Sequence, residues 1–188
     1  MENPKIILLF SGKRKSGKDF LTEHLLKILG SDRCEIVRIS EPIKAFWAKE
    51  QNLDLKELLS DGPCKEIYRK RMIEWSEAER AKDYGIFCRK AMEKSQKSIC
   101  IVSDIRRKTD IAWFTENFSG KIQKIQVKCS DITRGQRGWK FEVGVDDAES
   151  ECNLDDVTDF DFILDNDQPS TSPDEMLKPL LNLVSDIY

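Results

Sequence analysis

Short apolar runs alternate along the chain with longer segments whose apolar positions recur every three or four residues. Residues 5–11 (KIILLFS) form the first run. Leu21, Leu25, Ile28 and Leu29 then share one face of a helix predicted over 19–29 and closed by Gly30. A second strand is predicted over 35–40, ending ahead of Pro42. Residues 42–94 read as a charged helical region, broken near 61–63 and at Gly85, with Tyr68, Met72 and Trp75 spaced for buried packing. The continuous apolar run 99–103 predicts a central buried strand, followed by a helix over 110–118 that buries Ile111, Phe114 and Phe118. Residues 121–129 alternate, with Ile125, Val127 and Cys129 on one side, and 160–164 gives a fifth strand. A last helix carries Leu177, Leu180, Leu181, Val184 and Tyr188 on one face, with Pro179 predicted to mark its first turn. Strands separated by helices imply an α/β fold, an approximately five-stranded parallel sheet flanked by helices.

The 188 residues suffice for one domain, 1–188, with a substantial core. No stretch approaches eighteen apolar residues, so no membrane span is predicted. Residues 1–5 run directly into the first strand and leave no room for a signal peptide. The terminal SDIY is no peroxisomal address, and the cytosol is the expected compartment. Six cysteines, none closer than twelve residues to another, fit neither a zinc knuckle nor a redox pair and read as reduced fillers. The net charge of −3 hides an asymmetry: no Lys or Arg falls between Lys140 and Lys178, while thirteen acids lie from Glu142 to Glu175. An acidic total disfavours nucleic acid, and cations gathered around one loop favour a small polyanion.

That loop, over 11–19, contains GKRKSGKD directly after the first strand. Gly12 and Gly17 permit a tight turn, the amides of Lys13, Arg14, Lys15 and Ser16 can face phosphate oxygens, and the Lys18 ammonium can reach β- and γ-phosphates. The helix that follows presents its positive end to the same anion. Asp19 stands where a Ser or Thr hydroxyl usually meets Mg2+. It is read either as a metal ligand or as an acid favouring the helix start. Lys13, Arg14 and Lys15 would repel one another without an anion among them.

The second constellation follows the central strand. Asp104 reads as a Mg2+ ligand or a cap for the next helix, and Arg106 and Arg107 as phosphate grips at the carboxyl edge where α/β sheets bind ligands. A mobile lid is predicted over about 130–141, carrying Arg134, Arg137 and Trp139. Arg80 is indistinguishable by pattern from its exposed neighbours Glu77 and Glu79. His24 is the only histidine, which leaves triad hydrolysis without support. A hydroxyl acceptor usually needs a base, whereas a phosphate acceptor is already an oxyanion at neutral pH. The inventory, rich in cations and poor in bases, therefore leans towards a phosphate acceptor. A nucleoside monophosphate kinase and a P-loop switch stay open, although no Asn-Lys-x-Asp guanine-reading segment occurs.

Together GKRKSGKD, VSDIRR, RGWKF and GVDDAESEC resemble the animal-type phosphomevalonate kinase family over about 5–166. The resemblance implies a three-layer P-loop fold of the nucleoside monophosphate kinase type with a mobile lid. It also implies ATP and Mg2+ as cofactors, and transfer of the γ-phosphoryl group to (R)-5-phosphomevalonate in the mevalonate pathway. Residue by residue, it implies that Lys18 is the essential loop lysine and that Asp19 is the loop aspartate of a family that also lacks Ser/Thr there. Lys13, Arg14 and Lys15 would contact phosphates and Arg106 would serve catalysis. Arg107 and Arg80 would hold phosphomevalonate within the acceptor-binding region 42–94. Arg137 would be the lid arginine on ATP, and Asn166 a ligand-side asparagine. Small molecules are the expected partners, with no membrane or nucleic acid, and a monomer is expected.

Overall fold

A computed structural model describes residues 4–60, 62–167 and 171–185. Five strands, β1 (Ile6–Ser11), β2 (Cys34–Val37), β3 (Ile99–Ile105), β4 (Lys121–Lys128) and β5 (Phe162–Asp165), form one sheet in the order β2-β3-β1-β4-β5. Every pairing is parallel. Ile6 to Phe10 and Ile99 to Val102 are at most 1% exposed, because helices cover both faces of the central strands; their unbroken apolar runs follow from that. On one face Ile6, Leu8 and Phe10 pack against Leu21 and Leu25 of α1 (Lys18–Leu29) and Leu177 and Leu180 of α9 (Pro173–Ser185). On the other, Ile7 and Leu9 join Phe87 and Cys88 of α5 (Ile86–Met92) and Trp113 and Phe114 of α6 (Lys108–Asn117). This is the three-layer arrangement expected of strands alternating with helices.

Several boundaries move. The second strand stops at Val37 and α2 (Ser40–Glu50) begins before Pro42, because the Asp104 carboxylate accepts the N–H groups of Ile39 and Ser40 at 2.7 and 2.9 Å. Pro42 sits in that first turn, where a missing donor costs little. The predicted breaks hold: Pro63 opens α4 (Pro63–Lys82) and Gly85 is the N-cap of α5. A further break isolates α3 (Leu55–Leu59), where Asn52 takes φ +53° and the Asp54 side chain caps Lys56 N–H at 2.9 Å. Met72 is buried, and Trp75 stacks on Phe46 with ring centroids 4.1 Å apart.

The predicted lid contains a short helix, α7 (Asp131–Gln136), capped by the Ser130 hydroxyl, and a second helix, α8 (Glu149–Cys152), lies in the acidic segment. The last helix begins at Pro173, not Pro179. Pro179 lies on its exposed side, and burial of Met176, Leu177, Leu180 and Val184 offsets the hydrogen bond it removes. Tyr188 lies outside the described residues. Among the described residues no helix is long and apolar enough to cross a membrane. All six cysteines are free thiols. Burial pushes Cys34 up to about 12 and also raises Cys88 and Cys100, so these three are poor nucleophiles.

Candidate active site

The loop 12–17 joins β1 to α1 at the carboxyl edge, with β3 and β4 on either side of its strand. Gly17 takes φ +88°, and a Cβ there would collide with the Asn166 side-chain amide, so both backbone shape and space require glycine. The Ser16 N–H closes the turn on the Lys13 carbonyl at 3.1 Å. Two residues predicted for the site hold this turn from its carbonyl side: Asn166 Nδ2 and Arg137 Nη1 donate to Ser16 O at 2.7 and 2.9 Å. Arg137 Nη2 donates in turn to Asn166 O at 2.9 Å. The Ser16 hydroxyl is buried without a hydrogen-bond partner.

Lys18 is 6% exposed and its ammonium contacts the exposed Asp19 carboxylate. Neighbouring protein atoms remove part of the solvent around the Asp19 carboxyl and push it up. The Lys18 charge and hydrogen bond outweigh it, with Arg106 and Arg38 beyond, and hold the group below the ordinary carboxylate range.

The acidic segment is where the loop cations find partners. Lys13 Nζ donates to the Glu151 carbonyl at 2.5 Å and pairs with Asp155 at 2.6 Å. Arg14 pairs with Asp146 at 2.9 Å, while its N–H donates to Glu151 Oε2 at 3.2 Å. Glu151 also forms an ion pair with Arg106. From the lid, Arg134 Nε donates to the Arg14 carbonyl at 2.8 Å, and its guanidinium lies 3.9 Å from the Trp139 ring centroid. Trp139 Nε1 donates to Asp146 at 3.0 Å. The segment 130–139 thus docks on the loop. Asp167 anchors its start: the Ser130 N–H and further bonds from Thr133 and Ser130 hold that carboxyl down at about 2.

Arg106 and Arg107 follow β3. Arg107 is buried and paired with Glu77 of α4, and burial pulls its guanidinium below its ordinary value against the pull of Asp110. Arg80, inseparable from its neighbours by pattern, turns inward: it is 8% exposed and bonded to Asp110 at 2.5 Å. Asp104 does cap a helix, but it is α2, which follows β2, the strand paired with β3, and not the helix that comes next after Asp104 in sequence. His24 pairs with Asp174 of α9 at 2.6 Å.

Lys18, Asp19, Asp104, Arg106, Arg107 and Arg80 share one cleft of about 620 Å³. Of its lining residues eight are Lys or Arg and five Asp or Glu, an excess that suits a pair of polyanions. A second cavity of about 490 Å³ runs from Gly12 along the ends of β4 and β5 to Ser130, and the Arg106–Glu151 pair borders both.

A sequence model of the family described as phosphomevalonate kinase matches residues 10–120. The Drosophila melanogaster phosphomevalonate kinase is 52% identical over 168 residues, covering 86% of this chain and 88% of that protein. The chain belongs to the phosphomevalonate kinase family. Among solved structures, a gluconokinase from Sinorhizobium meliloti 1021 superposes with a TM-score of 0.56 at 12% identity, over 100% of this chain and 98% of the other. TT1252 from Thermus thermophilus does so at 0.55 and 16%, over 100% of both chains. At such identity these two share the fold alone.

In this family member the cleft also recruits Arg38, Lys44, Lys65 and Arg69, none of them singled out from the sequence. Lys44 is drawn down to about 8, first by burial and then by the Lys65 charge. On a helix rich in Lys and Arg, pattern alone does not separate cleft-facing cations from solvated ones. Arg38 and Lys44 flank the Ile39–Ser40 turn that Asp104 caps, a placement set by a residue more than sixty positions away in sequence.

Proposed function

We propose that the chain transfers the γ-phosphoryl group of ATP to 5-phosphomevalonate, giving the 5-diphosphate and ADP. The observation that carries this reading is the cation-lined cleft that Lys18, Arg80 and Arg107 share. The loop amides, the unpartnered Ser16 hydroxyl and Lys18 receive the polyphosphate; Lys15 lies on the same loop, and Lys13 and Arg14 join on leaving Asp155 and Asp146. Arg106, between the loop and the acceptor side, neutralises charge on the equatorial oxygens of the transferring group. Arg107 and Arg80 hold the acceptor phosphate. Arg137 and Asn166 keep the loop in shape through Ser16, and Arg137 meets ATP only on leaving that carbonyl as the lid shifts.

The acceptor oxygen needs no base, since a phosphate monoester is largely dianionic near neutral pH. The cleft offers no histidine among the described residues. The donors suit Mg2+: Asp19 is an exposed carboxylate held ionised by Lys18, and Asp104 retains lone pairs beyond its two amide bonds for metal-bound water. Few protein ligands are expected, the phosphates and waters supplying the rest. Among the described residues no group of three or more His, Cys, Asp or Glu could hold a metal alone. When bound, the ion would screen the β- and γ-phosphate charge.

We assign the catalytic unit as the single domain 1–188, acting as a monomer on small molecules in the cytosol. An ADP-release assay comparing phosphomevalonate, mevalonate and nucleoside monophosphates, with and without Mg2+, tests the reading. Turnover confined to phosphomevalonate is the expected result. Turnover on a nucleotide with none on phosphomevalonate overturns it.

A further inference from the structure

Asp110 is 0% exposed, the most enclosed of the buried acids among the described residues. Its Oδ2 accepts the N–H groups of Arg106 and Arg107 at 3.1 and 3.0 Å, the reach expected of an acid in the first turn of a helix. Its Oδ1 does something capping does not require. It accepts Arg80 Nη1 at 2.5 Å, from a helix thirty residues upstream, and the Cys88 thiol at 3.6 Å. A carboxylate this deep is tolerable only when its lone pairs are filled. Both oxygens are therefore committed, one to the backbone that launches two arginines and one to the guanidinium of a third. Arg80 lines the cleft, and its Nε has no hydrogen-bond partner.

We propose that Asp110 is the positioning residue of the acceptor-phosphate site, setting the Arg80 guanidinium against the origin of Arg107 so that these two face the acceptor phosphate, with Arg106 launched from the same carboxylate toward the transferring group. The inference rests on the reading of Arg80 as an acceptor-phosphate ligand. A single carboxylate makes the spacing of the three cations a property of the core and independent of the surface.

The test is a double-variant cycle in the full chain: Arg80→Met, Asp110→Asn and both together. Asn keeps a carbonyl for the two backbone N–H groups and removes the charge that holds Arg80. Asp110→Asn is expected to raise the KM for phosphomevalonate about tenfold, as displaced binding groups do, and to leave the KM for ATP within about twofold. The double variant should match Arg80→Met alone, because the two residues act as a unit. Losses that multiply, an unchanged phosphomevalonate KM, or an equal rise for ATP overturn the proposal. If Arg80→Met itself leaves that KM unchanged, the acceptor role of Arg80 falls and the proposal with it. Should Asp110→Asn not fold, Asp110→Glu retains the charge but displaces Arg80. A rise of about threefold in the same KM supports the proposal, and no change overturns it.

Discussion

Glu151 closes on Arg106 at the mouth of the phosphate loop, one carboxylate oxygen against the guanidinium and the other on the Arg14 N–H at 3.2 Å. A backbone amide beside a guanidinium is the donor set that a phosphate oxygen seeks. ATP entering the loop must displace this contact. Replacing Glu151 by Gln removes the competing charge, and Kd for ATP, measured by calorimetry, should fall about fivefold, on the order of 1 kcal/mol. An unchanged or weaker affinity would show that the carboxylate does not compete.

Arg106 borders both cavities, which no other guanidinium following β3 does. Arg106→Met should lower kcat about a hundredfold, roughly 3 kcal/mol of transition-state stabilisation. The KM for ATP should shift by no more than about threefold, since the loop amides and Lys18 remain. Steady-state kinetics with both substrates varied decide the matter; near-normal turnover removes Arg106 from its role.

Burial and Lys65 bring Lys44 down to about 8 from an ordinary 10.5. The folded protein therefore releases this proton while the unfolded chain still holds it, and between those pH values Lys44 contributes stability that increases with pH. Acceptor binding has the opposite sign, because the anion wants the ammonium. The KM for phosphomevalonate should rise above pH about 8, by about tenfold once the charge is lost. Lys44→Arg keeps its charge at every such pH and should flatten the rise. A profile identical in the two proteins would exclude Lys44 as its source.

At Gly17 the backbone takes φ +88°, and Asn166 fills the space where a Cβ would stand. Gly17→Ala should cost about 1–2 kcal/mol from the left-handed conformation alone, lowering Tm by about 2–8 °C. ATP affinity should fall as well, since the clash displaces the amide that holds Ser16. Differential scanning calorimetry and ATP titration measure the two effects independently.

The sheet was legible because its central strands are covered on both faces, which forces unbroken apolar runs at 6–10 and 99–102. The loop was legible because phosphate chemistry needs glycines and lysine at fixed spacing. What escaped depends on pairing across long sequence separations. Arg80 turns inward because Asp110 waits for it thirty residues on. The start of α2 is decided by Asp104, sixty-five residues away from Ile39. The thirteen acids registered only as a charge asymmetry, yet Asp146, Glu151 and Asp155 hold Arg14, Arg106 and Lys13. Such matches leave no periodic trace.

The clamp on Ser16 has a temporal corollary. Arg137 and Asn166 are 121 and 150 residues downstream of the carbonyl they grip, and β1 acquires both neighbouring strands only after β3 and β4 exist. During synthesis from the amino terminus, the phosphate loop emerges first and is finished last. The brace behind Ser16 closes only once the carboxyl-terminal third has found its place.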